Sequence, residues 1–201
     1  VQVAWAMRYG NPALSAELAR LKRQGCDRIL IAPLYPQYSG ATTASAMDAV
    51  AAALKSMRWQ PAIRTLPPYH ADPLHVAALR GDIERQLAAL TFRPEVRLLS
   101  FHGMPLRTLE LGDPYHCQCR KTARLLAGAL AASHPGLRIE TSFQSRFGRA
   151  KWLEPSTEAT LAALPGKGMK KVAVIAPGFS ADNLETLEEI AIRNRALFMA
   201  G

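Results

Sequence analysis

Two stretches of the chain hold residue types that do chemistry, at places where chemistry is commonly done. Ser100-Phe101-His102-Gly103-Met104-Pro105 follows directly on an apolar run. A histidine there can offer a neutral ring nitrogen to a metal ion or accept a proton near neutral pH. A lone histidine is more often hydrogen-bonded to local backbone, but the strand-end position and the adjacent glycine favour a functional reading. The second stretch runs from Pro177-Gly178-Phe179 to Glu189 and again follows an apolar run. Asp182, Glu185, Glu188 and Glu189 fall within eight residues, and on an α-helix Glu185 and Glu189 share one face. Like charges so placed weaken a helix by tenths of a kcal/mol, which a bound cation or proton would offset. Acids also gather at helix N-termini because of the helix dipole, and that account serves Glu188 and Glu189 equally well. Glu185, nearest the strand-end loop, is the stronger candidate.

Cys117-Gln118-Cys119 invites a metal reading that geometry disfavours. Two helical residues two apart point about 200° from each other, and no third or fourth cysteine lies nearby in sequence. Cys26 reads as a small buried residue. His70, His75, His116 and His134 sit beside prolines or on helix faces and read as structural. Tyr9, Tyr38, Tyr115, Trp152 and Phe179 lie in or beside expected loops. Aromatic rings gathered near strand ends can wall a flat apolar cleft.

The elements that must position these residues alternate between strand and helix. Apolar runs predict strands at 1–7, 28–32, 62–66, 96–100, 137–143 and 171–176. Helices are expected at 13–24, ended by Gly25, then at 42–58, 72–90, 115–133, 156–164 and 182–199. Asp72-Pro73 has the form of an N-cap followed by proline at the first helical position. Pro67-Pro68 marks the best boundary, giving units 1–68 and 69–201. Successive βα units without hairpin signals imply an α/β fold of two Rossmann-like halves, each a parallel sheet covered by helices on both faces. In such sheets, ligands bind in the loops beyond the carboxyl ends of the strands. Those loops are Arg8-Tyr9-Gly10, 33–43, 100–105 and 177–189.

Composition narrows the class. The 201 residues, 49% hydrophobic and 20% charged, are those of an ordinary globular protein able to bury a core unaided. No apolar run approaches the length of a membrane span. Lys and Arg outnumber Asp and Glu by 25 to 16. The arginines are scattered from Arg8 to Arg195 without a dense run, which disfavours nucleic acid as partner. Peripheral contact with an anionic membrane surface stays compatible with the charge. Three cysteines and no visible signal peptide point to a reducing cytoplasm. The chain starts without Met in a strand-like run and stops soon after a helix-like stretch, as expected of a piece of a longer protein.

Five motifs in order carry a family resemblance. They are Tyr35-Pro36-Gln37-Tyr38-Ser39, Ser100-Phe101-His102-Gly103, Gly112-Asp113-Pro114-Tyr115, Gln144-Ser145-Arg146-Phe147-Gly148, and Pro177-Gly178-Phe179 through Leu184-Glu185-Thr186-Leu187-Glu188-Glu189. Along essentially its whole length the chain resembles the ferrochelatase family. The resemblance implies insertion of ferrous iron into a free-base porphyrin, protoporphyrin IX or coproporphyrin III, in haem biosynthesis. It implies His102 as proton acceptor or iron ligand and Glu185 as the carboxylate across the cleft, with Glu189 joining them in the metal site. It further implies contacts to the macrocycle from Arg8, Tyr9, Tyr38, Tyr115, Trp152 and Phe179. Iron is then substrate, with no permanently bound cofactor. Gly40 stands where some relatives carry a cysteine for a [2Fe-2S] cluster, so no cluster is expected through that position. Asn183 and Arg193 replace a histidine and an acid found in some members, which shortens any acidic path. The family's glycine-rich N-terminal segment has no counterpart before Val1.

The chemistry suits these residue types. Two pyrrole N–H protons must leave as iron enters, and a base of near-neutral pKa serves this better than lysine or arginine. Ferrous iron accepts imidazole and carboxylate ligands. Two alternatives stay open: a sirohydrochlorin-type cobalt or iron chelatase, expected to show paired histidines, and a non-catalytic haem- or metal-binding module.

Overall fold

All regular strand pairing in the computed structural model, which describes Val1–Gly201, is parallel. The chain divides into two compact units, Val1–Pro68 and Tyr69–Gly201. No helix is long and apolar enough to cross a membrane.

The first unit runs through α1 (Leu14–Arg23), β1 (Arg28–Ile31), a π-helical turn (Gly40–Ala44), α2 (Ser45–Lys55) and β2 (Ala62–Thr65). Gly25, with φ at 82°, lets the chain leave α1 in a left-handed conformation that a Cβ would disfavour. β1 and β2 pair from Arg28↔Ala62 to Ile31↔Thr65. The core is a cluster of Leu18 from α1, Ile29 from β1, and Val50 and Ala53 from α2. Period-two alternation turns Leu30 to the opposite face, where it is 61% exposed. At the start of the π-helical turn the Ser39 hydroxyl accepts from the Ala41 N–H at 3.2 Å.

In the second unit the order is α3 (Pro73–Ala89), β3 (Val96–His102), α4 (Leu106–Glu110), α5 (Tyr115–Ala131), β4 (Arg138–Gln144), α6 (Thr157–Ala163), β5 (Val172–Ile175), a π-helical segment (Glu185–Asn194) and α7 (Arg195–Met199). Asp72 caps α3 by accepting from the N–H groups of Leu74 and His75, and Pro73 takes the first helical position, where no N–H is required. The sheet order is β4-β3-β5, so β3 is central. Its residues from Val96 to Phe101 are all buried, as a parallel strand covered on both faces requires. Alternation divides them. Leu99 and Phe101 pack with Ile83 of α3 and Ala123, Leu126 and Leu130 of α5. Val96 and Leu98 pack on the other side with Leu161 and Leu164. His102 is the next residue out, half-buried at the carboxyl end of the sheet.

Two expectations need correction, and one element is additional. Residues 1–7 form no strand: Val1, Val3 and Trp5 are exposed, and the only pairing is an isolated bridge from Met7 to Ala13. An apolar alternation becomes a strand only where a neighbour supplies the hydrogen-bond ladder, and β1 and β2 pair only with each other. The helix expected at 182–199 is π-helical from Glu185 to Asn194 and α-helical only beyond it. The short helix α4 was not expected, since five residues without a side-chain cap leave almost no sequence signal.

His70, His75 and His116 are structural residues of the second unit. Burial lowers the pKa of each, helped at His70 by Lys121 and His75 and at His116 by Arg120, while Asp72 opposes it weakly at His75. Buried ring nitrogens of His70 and His75 have no hydrogen-bond partner.

Leu126→Ala should destabilise the second unit by about 2–5 kcal/mol in urea unfolding, because Leu126 is fully buried. Leu125→Ala, at a position 39% exposed, should cost well under half of that. The histidines give a pH dependence with a definite sign. The unfolded chain binds these protons more readily, so their contribution is complete above about pH 6.5 and is lost as pH falls through that value toward the lowered ones. The urea midpoint should therefore drop between pH 7.5 and 5.5, and a His70→Asn/His75→Asn/His116→Asn variant should drop less.

Candidate functional site

The site of the second unit is built where β3 and β4 end together. His102 is the register partner of Gln144. One residue further, the Gly103 N–H donates to the Gln144 carbonyl at 2.7 Å, closing the ladder. Gly103 is required by contact: a Cβ there would meet the Gln144 carbonyl oxygen at 2.5 Å and the Trp152 ring at 3.2 Å. Two further bonds fix the imidazole and its backbone. Nδ1 of His102 lies 2.6 Å from the Gly103 carbonyl, an acceptor, so the ring proton sits on Nδ1. In the neutral ring Nε2 then carries the lone pair. The Tyr115 hydroxyl donates to the His102 carbonyl at 3.0 Å. Burial, with the neighbouring Cys119, pushes the Tyr115 phenol well above its ordinary pKa, so this hydroxyl keeps its proton.

The π-helical segment brings the acids. Oε1 of Glu185 stands 3.9 Å from Nε2 of His102, too far for a direct hydrogen bond, and both side chains are about one third exposed. The Phe179 ring lies 6.3 Å from the imidazole, tilted by 53°. The turn that carries Glu185 is itself held from below, since the Gln144 amide donates to the Glu185 carbonyl at 3.4 Å. Gln144 is 2% exposed. Its Oε1 accepts from the Ser100 hydroxyl at 2.6 Å, and Ser100 and Ser142 both meet the Thr157 hydroxyl, at 2.7 and 2.8 Å. Every member of this buried network has a partner, which makes it a rigid floor.

Glu189 does something different from Glu185. Its two carboxylate oxygens accept from the backbone N–H and the hydroxyl of Ser145, at 2.8 and 2.6 Å. Ser145 directly follows β4 and has φ at 63°, the left-handed region that non-glycine residues rarely occupy. The two bonds from Glu189 hold it there. Arg193 lies within 3.8 Å of Glu189 and 3.7 Å of Glu188. His102 and Glu185 thus face each other, whereas Glu189 is engaged on Ser145. No group of three His, Cys, Asp or Glu side chains gathers at metal-holding distance.

The remaining sequence-selected residues occupy varied settings. Trp152 is only 7% exposed and donates from its indole N–H to the Phe147 carbonyl at 3.0 Å. Phe147 covers it at 4.8 Å between ring centroids and is 73% exposed, so Phe147 presents the open aromatic surface here. Tyr115 is buried and acts through the His102 backbone. Arg8, Tyr9 and Tyr38 belong to the first unit. Arg8 donates from Nε to the Ser45 carbonyl and hydroxyl at 2.9 and 3.1 Å and lies over the Tyr9 ring at 4.5 Å. The Tyr9 hydroxyl is 3.5 Å from that of Ser45, at the start of α2. Tyr38 is half-buried just before the π-helical turn. Gln144, Ser145 and Phe147 are the site residues to which sequence reasoning assigned no role. All three lie in one quoted motif, directly after a strand, and that position was their only signal.

The two parallel α/β units, with candidate groups gathered beyond the strand carboxyl ends, accord with a chelatase-type fold. The family model described as Ferrochelatase matches residues 1–201, and the chain belongs to that family. It is 54% identical over 191 residues to the protein named Ferrochelatase from Rhizobium meliloti (strain 1021), a match covering 95% of this chain and 56% of that protein. The ferrochelatase of Methylocella silvestris is 50% identical over 199 residues, 99% of this chain and 57% of the relative. That of Rhizobium etli (strain CIAT 652) is 49% identical over 191 residues, 95% and 55%. The chain therefore spans about half the length of the curated relatives it matches.

Gly103→Ala tests how the imidazole is placed. The added methyl cannot avoid the Gln144 carbonyl, so the β3–β4 end must spread, at a cost of about 1–3 kcal/mol in thermal or urea unfolding. Displacement of the ring should also appear as a changed His102 imidazole chemical shift. A variant as stable as the parent with an unmoved His102 resonance would contradict this account of the ladder end.

Proposed function

We propose that the complete protein inserts ferrous iron into a free-base porphyrin, protoporphyrin IX or coproporphyrin III, as a step of haem biosynthesis. The observation that carries the reading is the 3.9 Å gap between Nε2 of His102 and Oε1 of Glu185 at the carboxyl end of β3, in a chain of this family. In the neutral His102 ring Nε2 carries a lone pair, and the side chain is about one third exposed, so it can take a pyrrole proton once it is not holding the ion. Bonds from a metal ion to imidazole nitrogen or carboxylate oxygen run to about 2.0–2.2 Å, so one ion can touch both groups in a bent arrangement. Two ligands hold an ion loosely enough to release it. Phe179 beside His102, and the exposed Phe147 over Trp152, supply apolar surface for a flat macrocycle. On this reading Arg8, Tyr9 and Tyr38 contact the macrocycle, and Tyr115 positions His102. Glu189 acts through Ser145 to hold the π-helical segment.

Iron and porphyrin are substrates, and no permanent cofactor is invoked. The free state of Cys26, Cys117 and Cys119 supports a reducing, cytoplasmic setting.

The test is turnover by the complete protein with either porphyrin and ferrous or zinc ion, followed by metalloporphyrin absorbance. His102→Ala should lower kcat by about 10²–10⁴-fold with the fold intact. Glu185→Gln should impair insertion more than Glu188→Gln, with little difference between them in stability. Near-parental turnover by a folded His102→Ala variant would overturn the assignment. Stoichiometric haem binding without turnover by the parent would point instead to a binding module.

A further inference from the structure

At the amino end of β3, opposite the candidate site, a cavity of about 740 Å³ opens between the end of α3, the 90–94 connection and the end of α5. We propose that it binds an organic anion: a carboxylate or phosphate monoester head on an apolar body. Arg97 carries the inference. As the second residue of β3 it points to the same face as Leu99 and Phe101, is 3% exposed, and leaves its buried Nε without a hydrogen-bond partner. A guanidinium stays charged, and burying it without a counter-charge is costly, so an anion at this point satisfies a group the fold leaves unpaired.

The surrounding charges are consistent with that. Arg93 and Arg80 line the same cavity, and the only acid there, Glu84, is already engaged. It accepts from Arg80 Nε at 3.0 Å and from the Ser133 hydroxyl at 2.6 Å. Those partners also hold its carboxyl below the usual range. Arg93 and Arg97 form no ion pair, and the charge of Arg93 adds to burial in disfavouring a bare Arg97 cation. A head that presents two oxygens side by side, as carboxylate and phosphate both do, suits a pair of guanidinium groups. Leu87, Leu90 and Phe92 supply apolar wall on the same cavity, the composition of a small-molecule pocket with a few placed polar groups. Five residues of strand, about 16 Å, separate Arg97 from His102, so the cavity is distinct from the porphyrin site.

Isothermal titration of the complete protein with octanoate and octyl phosphate, against octanol, octylamine and inorganic phosphate, tests this. Saturable binding of the two amphiphilic anions is expected, with octanol and inorganic phosphate weaker by about tenfold or more. Arg97→Gln and Arg93→Gln should each reduce octanoate affinity by about tenfold, with porphyrin metallation unchanged. Arg93 is exposed, so its variant decides the matter if Arg97→Gln fails to fold. Equal binding of octanol and octanoate, or unchanged affinity in Arg93→Gln, overturns the proposal. So does the absence of saturable binding, or inorganic phosphate matching octyl phosphate, which would remove the apolar body from the ligand class.

Discussion

The joint ending of β3 and β4 is the constraint on which the site depends. His102 pairs with Gln144 in register, and Gly103 then donates to the Gln144 carbonyl, so the two parallel strands stop within one residue of each other. Because side chains alternate, slipping this register by one residue would turn His102 to the face of α3 and α5 and put Phe101 or Gly103 at the rim. The apolar load on β3 resists that slip. Leu99 and Phe101 are committed to one helix layer, and Val96 and Leu98 to the other. The core thus fixes which residue emerges first at the carboxyl end, and that residue is His102.

What lies under the strand ends serves the same purpose by different chemistry. Ser100, Ser142, Thr157 and Gln144 are all buried and bonded to one another. Unpaired, any of these groups would be costly in the interior, so the network is satisfied only in one arrangement of the three backbone segments that carry it. Gln144 then extends that arrangement to the Glu185 turn. Position is handed from sheet to acid through an amide, not through the carboxylate, which leaves the Glu185 oxygens free to face His102.

Much of the fold is legible in the sequence because burial and capping act locally. The apolar runs of β3 and β5 and the Asp72-Pro73 cap of α3 are each readable within a few residues. His102 and Glu185 stand out because each follows such a run. The failures are of another kind. Residues 1–7 have a strand's composition but no partner ladder, and composition carries no information about partners. The bond between Glu189 and Ser145 spans 44 residues, and a serine with φ at 63° announces nothing in a single sequence. Arg97 reads as one scattered arginine among many until β3 is seen to bury it.

Two acids four residues apart on the π-helical segment Glu185–Asn194 take different tasks. On an α-helix they would share a face and repel each other, and either could meet the imidazole. The wider i→i+5 helix also keeps residues four apart near one face, as the Glu189–Arg193 pair shows, so the two acids are divided by their partners. Here Glu185 faces the end of β3 and Glu189 the end of β4. Like charges are thereby separated, and Glu189 is neutralised by two donors from Ser145 and the nearby Arg193. A helix of this kind is intrinsically unfavourable and persists where neighbours hold it, here the Gln144 amide at its first turn and Ser145 at its second. The buried floor and the left-handed serine are therefore parts of one device. They stabilise a helix geometry that presents a single carboxylate to the imidazole and ties down the next.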